Sequence, residues 1–462
     1  MKQTAFNYIL GALIIVFTVG TVGAQQVAKI GYFMDHSTHK HLMNPALVPS
    51  RGYISIPALG SVDLDLRSNL SLPQFLYPGS NGQLMTFLHE DVTPQQFLSQ
   101  LNPENYLRLQ QRFSLLSAGA YFGSSFWTFE VASRINAGFS IPYDFFAFLK
   151  KGMDNAQGNR YEIRDLKMGA DALIETSVGS SFVVADNIRV GVKGKLLIGA
   201  AKAVGGMDEM IIDMRPDKWT VSSNGSINLY GAGFGFTKNA EGVVEGVEFA
   251  SSGTSGMGLA LDLGASWKPL DFLEVSAGIT DLGRVSWKKD HNRVARAQGT
   301  VTYTGLENIS LDDNDTDEDP LKDITDQFME LAQFKESSTT AKLSESLSPT
   351  LNIGAEAGVL DNKVSFGLLY TGRMIPGNPL NELTGVINLR PIEHINLATS
   401  YTLIDGVQKS FGLALGVNLV VANLFIACDY IPTRMATGAP IPLSEATTHI
   451  QIGASVSLGK MK

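Results

Sequence analysis

The sequence predicts an all-β protein, a transmembrane antiparallel β-barrel of the outer-membrane type. Three observations carry this. Apolar and small residues alternate with a period of two through the second half of the chain. The composition is rich in glycine and poor in charge: 46 of 462 residues are Gly and 18% are charged, against roughly 25% charge in ordinary soluble chains. The chain opens on an export signal, and no later stretch reaches the ~18 uncharged apolar residues that a membrane helix needs. Without such helices, a chain in a membrane crosses it as a closed barrel.

Residues 1–24 are expected to be a signal peptide. Lys2 supplies the positive start, Tyr8 to Val22 the apolar core, and Val22-Gly23-Ala24 the small-residue cleavage pattern, so the mature chain would begin at Gln25. No Cys follows that site, which argues against a lipoprotein. Residues 25–50 show no periodicity and hold His36, His39, His41 and Asn44-Pro45-Ala46. They are expected to enter the barrel as an N-terminal plug or hatch, with the barrel itself spanning 51–462. Two short helical inserts interrupt the strands. Residues 83–111 carry a cap signal at Asp91 or Thr93, Pro94 at a first-turn position and apolar residues at helical spacing. Pro142 to Lys150 reads as an amphipathic turn-and-a-half with an aromatic face, a packing or interface helix.

The strands follow from the alternation. Met257, Leu259, Leu261, Leu263, Ala265 and Trp267 occupy one face, and Gly258, Ala260, Asp262, Gly264 and Ser266 the other. The pattern returns at 273–280, 351–359, 395–403, 411–419 and 450–458. In a membrane barrel the apolar set faces lipid and the small polar set the interior. Inward residues this small imply an interior crowded by a plug or loops. Short polar turns at 268–271, 360–363, 390–393 and 404–406 fit the periplasmic side. Long connections at 71–111, 235–255, 304–345 and 431–446 fit the extracellular mouth. Trp127, Trp219, Trp267 and Trp287 fall near strand ends, where interface girdles place them.

Composition excludes several classes. A net charge of −9 gives no electrostatic reason for a nucleic-acid partner, and a single Cys428 excludes a disulfide scaffold. The strongest charge cluster is the acidic run 312–319, in which Asp313, Asp315 and Asp317 match the first three ligand positions of a calcium loop. Glu318 stands where that loop needs Gly, and Ile324 where it needs a bidentate acid, so a solvated extracellular loop explains the run as well. Calcium there is the one cofactor expectation. His36, His39 and His41 match no zinc spacing, with no Cys or clustered acid beside them. No G-x-S-x-G elbow is present, and nothing assembles a catalytic set, so no enzyme activity is expected.

Asn44-Pro45-Ala46 shortly after the signal peptide, followed by Gly-rich alternating strands, resembles the FadL-like outer-membrane barrels. Those include long-chain fatty-acid transporters and the shuttle and attachment barrels of type IX secretion. The runs FSLLSAGAYF (113–122), FWTFEVASR (126–134) and FSIPYDFFAFLKKG (139–152) look like an uncharacterised branch of that group. The resemblance implies about fourteen strands, an N-terminal segment in the lumen and a place in the Gram-negative outer membrane. It also implies passive transport of a hydrophobic small molecule, with Ile375-Pro376-Gly377-Asn378-Pro379 as a place where strand pairing could fail. The alternative is a secretion-associated scaffold whose long loops bind outer-membrane or secreted proteins. A continuous apolar tunnel would favour transport; a filled lumen with an apolar, ordered extracellular rim would favour partner binding.

Overall fold

The structure, a computed structural model, describes residues 27–35, 37–55, 60–79, 84–250, 253–303, 333–375, 379–406, 408–419, 421–431 and 447–459. The expected signal peptide, the acidic run with Asp313, Asp315 and Asp317, and residues 376–378 lie outside them.

Fourteen wall strands form a closed antiparallel barrel. β1 comprises two segments, Gly52–Ser55 and Ser61–Ser68. β2 is Glu104–Phe122, β3 Ser125–Pro142, β4 Asn159–Ala185 and β5 Ile188–Met214. β6 (Gly256–Leu270), β7 (Leu273–Trp287) and β8 (Leu343–Ser346 with Thr350–Val359) follow. β9 to β13 are Val364–Arg373, Leu380–Ile392, Ile395–Ile404, Gln408–Asn418 and Ala422–Ile431. β14, Thr448–Leu458, closes the ring by pairing with both segments of β1. Closure removes every open edge, so each wall backbone group can bond to a neighbour, as a bilayer requires.

The alternation sets the two faces. On β6, Met257, Leu259 and Trp267 point outward, half or more exposed, while Gly258, Ala260, Asp262 and Gly264 are inward or half-buried. The same outward apolar set recurs as Phe366 and Leu368, Leu383 and Ile387, Phe411 and Leu413, Leu424 and Ile426. In water such a belt would be an aggregation surface; in a bilayer it is the lipid-facing surface. The protein is an outer-membrane β-barrel. No helix among the described residues is long and apolar enough to cross a membrane.

The short turns near 123–124, 186–187, 271–272, 360–363 and 393–394 mark the periplasmic rim, and the longer connections the extracellular one. There, β4 and β5 outgrow the barrel at 27 residues each. The inner half of β5 pairs with β6, whereas its outer half pairs with Trp219–Gly231, which in turn pairs with Asn292–Tyr303. The sheet therefore branches at residues 199–201.

Four expectations are corrected. The short turn at 404–406 lies on the extracellular rim and not the periplasmic one, because β11 rises from the periplasmic turn at 393–394 and ends at Ile404. Helix covers only α1 (Leu72–Phe75) and α2 (Pro94–Leu98) of the region around the first insert. Residues 104–111 instead extend β2, because pairing with β1 and β3 outweighs their helical spacing. Residues 234–249 within the expected loop 235–255 form a hairpin, Phe234–Lys238 against Val244–Phe249. Trp287 and Trp219 are not girdle residues: Trp287 is fully buried and fills the branch point, and Trp219 sits at the far end of the outgrown sheet, packed on an apolar cluster. The expected helix at 142–150 is α3, Tyr143–Lys151.

Candidate functional site

The lumen is occupied by the chain's own N-terminal segment. Ala28, Ile30, Tyr32, Met34 and Asn44 are each at most 1% exposed. Short 3₁₀ turns at Lys29–Phe33 and Lys40–Leu42 let the segment fold back within the narrow bore. Wall glycines make the room. Gly191, Gly264 and Gly278 face one another across β5, β6 and β7, and together form a notch for Asn44-Pro45. A Cβ at Gly191 would lie 2.2 Å from the Pro45 carbonyl carbon, and one at Gly264 2.0 Å from Asn44 Oδ1. Gly354 and Gly367 receive Phe33 in the same way, and Gly453 receives His39. Asn44 secures the turn: its Nδ2 donates to Ala265 O and to the Tyr32 hydroxyl (both 3.2 Å), and its Oδ1 accepts from Ala46 N at 2.9 Å.

Charged anchors hold the segment at two levels. Lys29 Nζ lies 3.1 Å from Glu382 and also bonds Tyr430, while its backbone N–H donates to Asp429 at 2.7 Å. Arg67 joins the same cluster, 3.0 Å from Glu382 and 2.7 Å from the Tyr430 hydroxyl. Lower down, Asp35 pairs with Arg390, which also holds Glu356 at 2.9 Å. His41 bridges Lys193 Nζ (2.8 Å) and the Tyr53 hydroxyl (2.9 Å). Burial, with Lys193 next to it, holds the His41 imidazole well below its usual range. Burial likewise lowers His39 to about 4, so both imidazoles are neutral at pH 7.

A second set of charges belongs to the wall alone. Arg112 pairs with Glu130 at 2.7 Å and Glu175 at 3.2 Å; Arg134 with Glu175 at 2.8 Å and Asp281 at 3.0 Å. Lys195 sits 2.8 Å from both Asp262 and Asp281. Arg134 on β3 reaches Asp281 on β7, so the network ties separated parts of the wall across the lumen. Desolvating such ions costs several kcal/mol each, offset only when every charge is paired. The interlocking supplies that pairing.

Above the wall, on the extracellular side, lies an apolar cluster. Phe97 stacks 4.4 Å from Phe87 and 5.9 Å from Phe146, with Phe75 5.8 Å from both Phe97 and Phe146. The inner faces of β4, β5 and the branched strands complete it through Ile163, Met207, Met210, Ile212 and Leu229. Two cavities open at the periplasmic mouth around the segment, of about 530 and 430 Å³.

The expected calcium ligands Asp313, Asp315 and Asp317 lie outside the described residues, and no metal-binding cluster is found among those described. His39 and His41 serve different neighbours and do not converge. The lumenal ion pairs went unread in the sequence because partners such as Arg134 and Asp281 are remote along the chain. The one available signal was inward charge such as Asp262 at an alternating position.

The chain belongs to a family of unknown function, DUF5723, whose profile matches residues 45–429. No curated protein matches it. Among solved structures it is similar to the Pseudomonas putida toluene transporter TodX (8% identity, 94% of each chain, TM-score 0.40). A Pseudomonas aeruginosa FadL homologue shares 12% identity over 96% of this chain and 98% of that one, TM-score 0.41. The monoaromatic hydrocarbon channel CymD shares 10% identity over 95% and 97%, TM-score 0.36.

Proposed function

We infer that this DUF5723 protein passes a hydrophobic small molecule across the outer membrane, with its N-terminal segment as the hatch. The observation that carries the reading is a lumen filled by a segment held there by non-covalent contacts, beside a fault in the register of the wall strands. Ser55 pairs with Ser117 and Ser61 with Ser114, so the register against β2 differs between the two segments of β1. Leu115 adds a bulge on the other side of β2. Gly60 and Gly453 flank this fault, and His39 of the segment packs on Gly453 from inside. An apolar solute gathered by the extracellular aromatic cluster would leave sideways into lipid there, because desolvated ion pairs bar the way along the axis. Movement of the segment uncovers the fault.

A second reading, a sealed scaffold that binds proteins through its extracellular loops, is favoured by one observation. The Arg112–Glu175–Arg134–Asp281 network crosses the lumen without help from the segment. Uptake of radiolabelled toluene and of a long-chain fatty acid by whole cells producing or lacking the protein separates the two. Protein-dependent, saturable uptake supports the hatch. Equal uptake, with a stoichiometric protein recovered on mild solubilisation, supports the scaffold.

A further inference from the structure

The sheet that outgrows the wall on the extracellular side has two unlike faces. From the paired strands 219–231 and 292–303, Val221, Ile227, Leu229, Ala295 and Ala297 pack into the aromatic cluster. Alternation turns the even-numbered residues between them to the opposite face. Register sets these in rungs, Ser222 with Thr300, Asn224 with Gln298 and Ser226 with Arg296. Asn224, Arg296, Gln298 and Thr300 are exposed, and the Ser222 and Thr300 hydroxyls bond at 2.8 Å. The rungs offer hydroxyls and amides in ordered rows, with no aliphatic or aromatic side chain among them.

One rung is charged. A third strand, Lys335–Ser337, pairs beyond it and sets Lys335 directly opposite Arg296. Both are exposed, and neither side chain has a hydrogen-bond or ion-pair partner among the described residues. Like charges directly opposite across two strands are destabilising. The neighbouring charges of β4 and β5 are matched: Glu162 with Arg160 and Arg164, Asp165 with Lys167, and Glu209 with Arg164 at 2.9 Å. Arg296 and Lys335 are thus a cationic pair left unanswered in a chain of net charge −9. On the far side of Ser226 the row runs through Gly206 to Lys167, and Gly206 puts no side chain in its middle. Such a surface selects an anion that also carries hydroxyls. Arg receives a carboxylate, sulfate or phosphate through paired N–H donors, and Lys adds a point charge. Ser226, Asn224 and Gln298 match sugar hydroxyls, which both donate and accept. A protein partner relies on buried aromatic or aliphatic anchors, which these rungs lack.

We propose that this face binds an acidic saccharide on the extracellular side, its anionic group between Arg296 and Lys335 and its hydroxyls along Ser226, Asn224 and Gln298. The same chemistry is carried by the lipopolysaccharide of the outer leaflet and by soluble acidic glycans. The site stands independently of the hatch, since it uses neither the N-terminal segment nor the lumenal ion pairs.

Full-length protein in a detergent without a sugar headgroup is titrated with oligogalacturonate, a sulfated heparin oligosaccharide and purified lipopolysaccharide, with neutral dextran and polyglutamate as controls. Saturable binding of an acidic saccharide is expected, weakened at least tenfold by Arg296→Gln with Lys335→Gln. Asn224→Leu with Gln298→Leu, which keeps the charges and removes the amides, is expected to weaken it too. All four side chains are exposed, so both variants should give the compact, heat-sensitive electrophoretic band of a folded barrel; Lys335→Gln alone serves if the first does not. Tighter binding of lipopolysaccharide assigns the outer leaflet as the source, and tighter binding of a soluble oligosaccharide assigns a free glycan. No saturable binding to wild type, equal binding of polyglutamate, or binding unchanged in a folded charge variant overturns the proposal.

Discussion

Single residues decide whether the segment seats. At Gly191 even one methyl meets backbone, which cannot swing aside as a side chain could. Gly191→Val is expected to expel Asn44-Pro45 from the notch while leaving the outward face of β5 unchanged. Trypsin cleavage after Lys29 and Lys40 should then quicken at least tenfold in a barrel whose electrophoretic band stays folded. The histidines add a pH dependence of definite sign. His39 binds its proton near pH 4 when seated and near 6.5 when free, so the displaced segment takes up the proton first. Seating is strongest above pH 6.5, weakens as pH falls towards 4 and levels off below. The loss is about 3 kcal/mol, and His41 acts in the same direction. Protease protection measured from pH 7.5 to 4 checks this, and His39→Gln should make the curve shallower, leaving the part due to His41. The small inward glycines were legible as a crowded interior, because a strand tolerates Gly only where something approaches closely. Which glycine receives which residue was not legible, since the notch assembles from three strands at positions 191, 264 and 278.

At the scale of elements, the branch of the sheet depends on Trp287. Its ring packs over Gly199 and Gly256, where the wall divides, lies 6.3 Å from the Tyr230 ring, and donates from Nε1 to Glu345 at 3.0 Å. Trp287→Ala is expected to cost about 3–5 kcal/mol and to loosen the outer sheet first. Hydrogen exchange should rise at 219–231 and 292–303 before it rises in β9 to β13. In the sequence this residue looked like its neighbours in the girdle, Trp127 and Trp267, which are 45% and 49% exposed. A Trp at a strand end says nothing about which face it takes when the strand outgrows the membrane. The outward residues of β6, by contrast, were legible one by one, because period-2 alternation fixes the face of each residue once a single face is known. The same logic failed over 104–111, where apolar spacing fits helix and strand alike and pairing partners decided it.

For the whole molecule, closure is double: one part made by the N-terminal segment and another made by ion pairs of the wall. The hatch reading requires the first to move and the second to stay. A covalent lock tests this directly. An ideal Cβ on Gly278 lies 2.9 Å from Asn44 Cβ, within a small shift of the roughly 3.5–4.5 Å that a disulfide spans. The doubly substituted Asn44→Cys/Gly278→Cys chain, with Cys428→Ala to remove the native thiol, joins the segment to β7 when oxidised. The most direct measurement is uptake of a labelled hydrophobic solute by cells carrying this variant, oxidised and then reduced. The account predicts protein-dependent uptake after reduction, and uptake at the rate of cells lacking the protein while the disulfide is closed. Equal uptake in the two states would contradict it, because the segment would then be a fixed filling and not a hatch.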